Sequence, residues 1–229
     1  MNRKVVLRNN ILLGLSLALM VAALYMVFIY VPTEKNMGMV QRIFYFHVPI
    51  AWVAFLAFFI VFVSSIMYLW KRDMKWDRYA HASAEVGIIF TTLVLITGSI
   101  WAKPVWGIWW TWDARLTASL VLWLIYVAYL LLRNYASEQA QGARIAAVLG
   151  IIGFIDVPIV ALAINIWRTQ HPPALIFEGG LGMPGLFTLL VSIAAFTLLF
   201  VVLVSYGIIL KNQQEEISHL KDVHSEEGG

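Results

Sequence analysis

Residues 48–70 read VPIAWVAFLAFFIVFVSSIMYLW, with no charged side chain among them. At 1.5 Å per residue, a helix of this length reaches across the roughly 30 Å hydrocarbon core of a bilayer. Working outward, further apolar blocks of similar length put spans at about 11–31, 48–70, 82–101, 116–132, 145–165 and 185–210. The whole chain of 229 residues is 61% hydrophobic with a mean hydropathy of +0.80, and only 13% of it is charged. Soluble globular proteins carry about 25% charged residues. With no water in the hydrocarbon layer, each span must satisfy its own backbone, and helices do so. The expected fold is an all-α polytopic membrane protein with six transmembrane helices. Residues 1–210 form one membrane domain and 211–229 a polar tail, with no internal repeat and no second domain.

Short loops rich in Lys and Arg stay on the cytoplasmic side. One side collects Arg3, Lys4, Arg8, Lys71, Arg72, Lys75, Arg78, Arg133, Arg144, Lys211 and Lys221; the other has only Lys35, Arg42, Lys103, Arg115 and Arg168. Both termini are therefore expected in the cytoplasm, and the Trp-rich loop between the third and fourth helices faces outward. The basic start and apolar run at the N-terminus resemble a signal peptide. However, no small-residue cleavage site follows and the run continues to Val31, so an uncleaved first span is expected.

Several function classes are excluded. The chain has no cysteine, so it offers no disulfide and no thiolate ligand or nucleophile. No Gly-rich phosphate loop is present, so any ATP hydrolysis belongs to a partner. The basic isoelectric point, near 9.2, follows from the inner-side cations and suits anionic lipid, a lipid bilayer rather than nucleic acid being the expected contact.

Of five histidines, His81, His219 and His224 fall at the inner end of a span or in the tail, where solvated or interfacial imidazole is the ordinary state. His47, in FYFHVPIAW, stands at the outer mouth of the second span beside a proline suited to a helix start. His171, in NIWRTQHPPA, stands in the outer loop after the fifth span, where two prolines fix the backbone. Two outer histidines make a poor zinc site, which usually needs three or four protein ligands. An iron porphyrin brings four nitrogens of its own and asks for only one or two axial ligands. Two unrelated interfacial histidines remain the plainer alternative.

The stretch from Trp106 to Thr117 reads WGIWWTWDARLT. Five of the ten tryptophans, Trp101, Trp106, Trp109, Trp110 and Trp112, fall in this outer region, whereas an interfacial aromatic belt would be spread over all helix ends. If the loop is helical, Trp106, Trp109 and Trp110 share one face and Trp112 turns away. Such a surface suits a large flat apolar ligand, and Arg115, Arg42 and Arg168 stand near the same level to meet its carboxylates. Asp113 is positioned to cap the fourth helix. Asp156, in GFIDVPIVAL, falls mid-span, where a carboxylate serves either function or, with Pro158 nearby, helix packing. Glu85 is expected to reach the interface or Arg78.

Three stretches together, WGIWWTWDARLT, FHVP at 46–49 and WRTQHPP at 167–173, resemble the haem-handling membrane proteins. Within that group the chain is most similar to the haem exporter protein C family of cytochrome c maturation (CcmC), from about Val31 to Leu210. The resemblance implies haem b bound at the outer (periplasmic) face of a bacterial cytoplasmic (inner) membrane, with His47 and His171 as axial ligands. Trp106, Gly107, Trp109, Trp110, Trp112 and Asp113 would form its platform, and Arg115 and Arg42 would pair with the propionates. It further implies delivery to a membrane-tethered haem chaperone, protein E, which captures haem through a histidine bonded to a vinyl group. The ATP-binding-cassette proteins A and B and a small membrane protein D then release the loaded chaperone. The chain would be a haem-holding and transfer subunit with no hydrolysis of its own. A haem-attaching cytochrome c synthetase subunit, of the CcsA or protein F type, is the alternative within the group, though those are longer and richer in spans and histidines. A haem secondary transporter would have broken helices meeting at the midplane, for which Asp156 and Pro158 are the hint. A purely structural scaffold would leave the clustered tryptophans and paired outer histidines without a purpose.

Overall fold

The computed structural model describes residues 3–136, 139–167, 169–171 and 181–227. It is all-helical: α1 (Arg3–Tyr25), α2 (Phe44–Lys71), α3 (Met74–Trp106), α4 (Ala114–Tyr135), α5 (Gln139–Phe154), α6 (Asp156–Ile166) and α7 (Met183–Glu227). A π-helical turn, Met26–Tyr30, extends α1, and a 3₁₀ turn, Met39–Ile43, leads into α2. Among the described residues, six helical segments are long and apolar enough to cross a membrane, α5 and α6 together making one of them. Each expected span lies inside one of these, except that the first segment ends at Tyr30, one residue short of the expected Val31. α3 outruns its expected limits of 82–101 at both ends because Asp73 caps it early and Lys103 and Pro104 do not stop it.

α2 runs through the middle and packs on α3, α5 and α7, while α4 packs on α3, α5 and α6. Close approach of α2 and α3 depends on Gly87, where an added Cβ would stand 2.7 Å from Phe58 Cε1 and 3.1 Å from Ala57 Cβ. The core behind this contact stacks Phe58 on Tyr126 at 3.7 Å, and Tyr126 donates its hydroxyl to the Gly150 carbonyl at 3.2 Å. α1 packs on α7 and turns Leu7, Ile11, Leu17 and Val21 outward, as a lipid-facing helix does. Pro158 has no N–H to return to Phe154, and the helix breaks just there, between α5 and α6.

Polar residues tie the end of the bundle opposite the two outer-loop histidines. Arg133 donates two nitrogens to the buried carboxylate of Asp77, at 2.6 to 3.1 Å. Arg78 pairs with Glu215 at 2.7 Å, so Glu85 does not meet Arg78; it takes Lys211 at 2.9 Å and lies 3.3 Å from His81. The helix of the tail continues from α7 as far as Glu227. Asp73 caps α3 by accepting from the Lys75 backbone N–H, and the Lys75 side chain first, with that backbone bond second, holds its carboxyl below the ordinary range.

Candidate haem site

His47 stands in the first turn of α2, with its ring buried against α3. Its Nδ1 lies 2.8 Å from Thr97 Oγ1. The ring edge lies over Gly98, where an added Cβ would stand 3.2 Å from His47 Cε1, and the Trp101 ring meets it edge-on at 5.9 Å. His171 arrives from another direction, on the short segment after α6. There the Gln170 N–H donates to Asp113 Oδ2 at 3.4 Å.

Both histidines open into one cavity of about 300 Å³ at the same end of the bundle, the lower end of the size range for small-molecule sites. Arg115, Trp101, Trp106, Trp110, Met37 and Gln170 line it around them, and Thr91, Leu122 and Val160 line its deeper wall. The wall is mostly apolar; among the described residues it carries no carboxylate and Arg115 makes no ion pair. The indole Nε1–H groups of Trp101 and Trp110 are buried with no hydrogen-bond partner among the described residues. A buried N–H without an acceptor costs about 1–3 kcal/mol. A cation and two unclaimed donors around an apolar space suit an anionic, largely flat guest. No group of three or more His, Asp or Glu able to hold a bare metal ion occurs among the described residues. The two imidazoles therefore fit a metal that brings its own equatorial ligands better than zinc.

The tryptophan stretch is divided by its backbone. It is helical only to Trp106, and Gly107 then turns at φ 80°, with Lys103 bonded to its carbonyl at 2.8 Å. The single helical face expected for Trp106, Trp109 and Trp110 does not form. Trp106 and Trp110 line the cavity, whereas Trp109 and Trp112 are 56% and 76% exposed. Trp110 still touches Trp112 edge-to-face at 5.8 Å. Asp113 is outside the cavity lining and is fully occupied as a clamp. It accepts from the backbone N–H of Arg115 and Leu116 as the N-cap of α4, from the Thr111 hydroxyl at 2.8 Å, and from Gln170.

Arg42 is not brought to the cavity; its guanidinium lies over the Phe28 ring at 6.0 Å. Arg168 lies outside the described residues. Asp156 opens α6 at the helix break with Oδ2 buried and without a partner among the described residues. It stands one turn before Val160, below the cavity wall. Thr97 and Gly98 were not legible as site residues; on α3 they lie four and three residues before Trp101, which the tryptophan cluster did include.

The profile of the family described as "Heme exporter protein C" matches residues 4–222. The chain is 39% identical over 175 residues to Heme exporter protein C of Bradyrhizobium diazoefficiens, covering 75% of this chain and 66% of that protein. It is 36% identical over 143 residues to Heme exporter protein C of Escherichia coli (strain K12), covering 62% of this chain and 58% of that protein. A putative cytochrome c biosynthesis ccmC-like mitochondrial protein of Marchantia polymorpha is 33% identical over 171 residues, with 75% and 72% covered. The matched segment thus spans less than two thirds of each bacterial relative, 66% of the Bradyrhizobium protein and 58% of the Escherichia coli one.

Proposed function

The chain belongs to the haem exporter protein C family, and on that premise we propose that it holds haem b at the outer end of its bundle and hands it on during cytochrome c maturation. With six membrane-crossing helices it is a multi-pass inner-membrane protein. The observation that carries the reading is the meeting of His47 and His171, from distant parts of the chain, in one cavity with Arg115 and two unclaimed indole donors. The cation count along the sequence supports an outward orientation for that cavity.

His47 and His171 would hold the guest through its iron, which asks the protein for only one or two ligands. Arg115 and the indole N–H of Trp110 meet its propionates, and Trp101, Trp106 and Trp110 cover its apolar surface. Arg42, held over Phe28 away from the cavity, is left out of that pairing. Fixing both faces and the propionate edge leaves the vinyl edge to be offered to the chaperone protein E. This is positioning rather than acid–base chemistry. Proteins A, B and D complete the pathway by releasing the loaded chaperone, since this chain has no phosphate-binding loop to drive that step itself.

The test is haemin titration of the purified chain beside His47→Ala and His171→Ala. A Soret band of six-coordinate type in the parent, weakened and shifted in each variant, is expected. A band indifferent to both substitutions would overturn the reading. The transporter reading draws on the helix break at Asp156. It requires that residue, so unchanged haem uptake and delivery by Asp156→Asn would count against it.

A further inference from the structure

Thr97 has a single hydroxyl proton, and Thr97 Oγ1 lies 2.6 Å from the Leu93 carbonyl, one turn back on α3. A contact that short between two oxygens needs the proton between them, so Thr97 donates to Leu93. Its oxygen can then only accept from His47 Nδ1 at 2.8 Å. Nδ1 therefore carries the ring proton, and the lone pair resides on Nε2, on the ring edge away from Thr97. Gly98 and Trp101 fix the ring's orientation on the same helix face: a Cβ at Gly98 would press on Cε1, and the Trp101 ring closes the other side.

We propose that Thr97 is the positioning residue for His47, selecting the tautomer whose Nε2 faces the cavity as a metal ligand. A ligating imidazole almost always donates its other N–H to an oxygen that sets its tautomer and raises its basicity, and loss of that oxygen typically costs 10–100-fold in affinity. Here the oxygen belongs to a hydroxyl already spent on the helix backbone. The ring thus receives an acceptor without an added charge in the membrane. The inference deepens the haem reading and rests on it for the identity of the metal; the tautomer itself does not.

The deciding experiment is nitrogen-15 NMR of the histidine-labelled, haem-free protein at about pH 8, above the ordinary imidazole range, with the His47 signals assigned by their loss in His47→Ala. The parent and Thr97→Ser are expected to have a protonated Nδ1 and a bare Nε2 at His47. Thr97→Val, which keeps the shape and removes the acceptor, is expected to shift the ring toward the other tautomer. An Nε2-protonated ring in the parent, or a Thr97→Val ring unchanged from it, would overturn the proposal. Haemin titration of the same proteins separates the two claims. Affinity is expected to fall about tenfold or more in Thr97→Val and to be restored in Thr97→Ser; equal affinity in all three would overturn the positioning role. A parent with the expected ring signals that takes up no haem would sink the haem reading and leave the assignment of the His47 proton standing.

Discussion

Trp110 keeps its indole N–H buried with no acceptor among the described residues, while Trp112, two positions on, is 76% exposed. The same residue type thus serves two purposes in one loop. Trp110→Phe keeps a ring in the cavity wall and removes the donor; a hydrogen bond to a charged group contributes about 1.5–3 kcal/mol, so haemin affinity is expected to fall about tenfold or more. Trp112→Phe is expected to leave it unchanged. Titration of both variants checks the pair, and equal losses would return the tryptophans to a single undivided platform. The division was not legible in the sequence, because it depends on where the helix stops. Gly107 in its left-handed conformation reverses the path after Trp106. Thr97 was hidden for a different reason. Thr91, Thr92, Thr188 and Thr197 all donate to the carbonyl four residues back in the same way. Thr92 and Thr197 also accept from distant indoles, of Trp123 and Trp52; what distinguishes Thr97 is that its partner is a histidine, fifty residues earlier in the chain.

At the scale of the element, the helices were legible because the bilayer imposes a length that apolar runs reveal directly. Their ends were less so. Lys103 and Pro104 look like a boundary and are carried inside α3. α4 begins where Asp113 implied, and that cap has a second consequence. By also accepting from Gln170, Asp113 ties the start of α4 to the segment bearing His171. Asp113→Ala is expected to lose about 1 kcal/mol of stability through the cap and, beyond that, to weaken haem retention through a loosened His171. Asp113→Asn keeps an acceptor and is expected to lose less of both. Thermal denaturation in detergent and haem retention on dilution read the two effects separately. Gly87→Ala, which forces a Cβ against Phe58, is expected to cost about 1–3 kcal/mol without touching the cavity.

Across the whole molecule, the two ends of the bundle are built on opposite terms. The end away from the cavity is closed by satisfied ion pairs, with Asp77 only 3% exposed beside Arg133. The cavity end leaves its cation without an ion pair and its indole donors without acceptors among the described residues. Removing one partner of a buried pair typically costs about 3–5 kcal/mol, whereas replacing both by apolar residues costs far less. Arg133→Met is accordingly expected to be strongly destabilising and Asp77→Leu/Arg133→Met to recover much of the loss, with haem affinity unaffected in the double variant. The orientation of these ends is also testable, because the chain has no native cysteine. A single cysteine at Ile108 is expected to react with an impermeant thiol reagent added outside whole cells, and one at Arg72 to be protected. The most direct test of the central claim, that His47 and His171 hold one iron between them, is the low-temperature electron paramagnetic resonance spectrum of the ferric haem complex. A low-spin bis-imidazole signal in the parent, converted to high spin by His47→Ala and by His171→Ala alike, is the expected result; a low-spin signal that survives either substitution unchanged would contradict it.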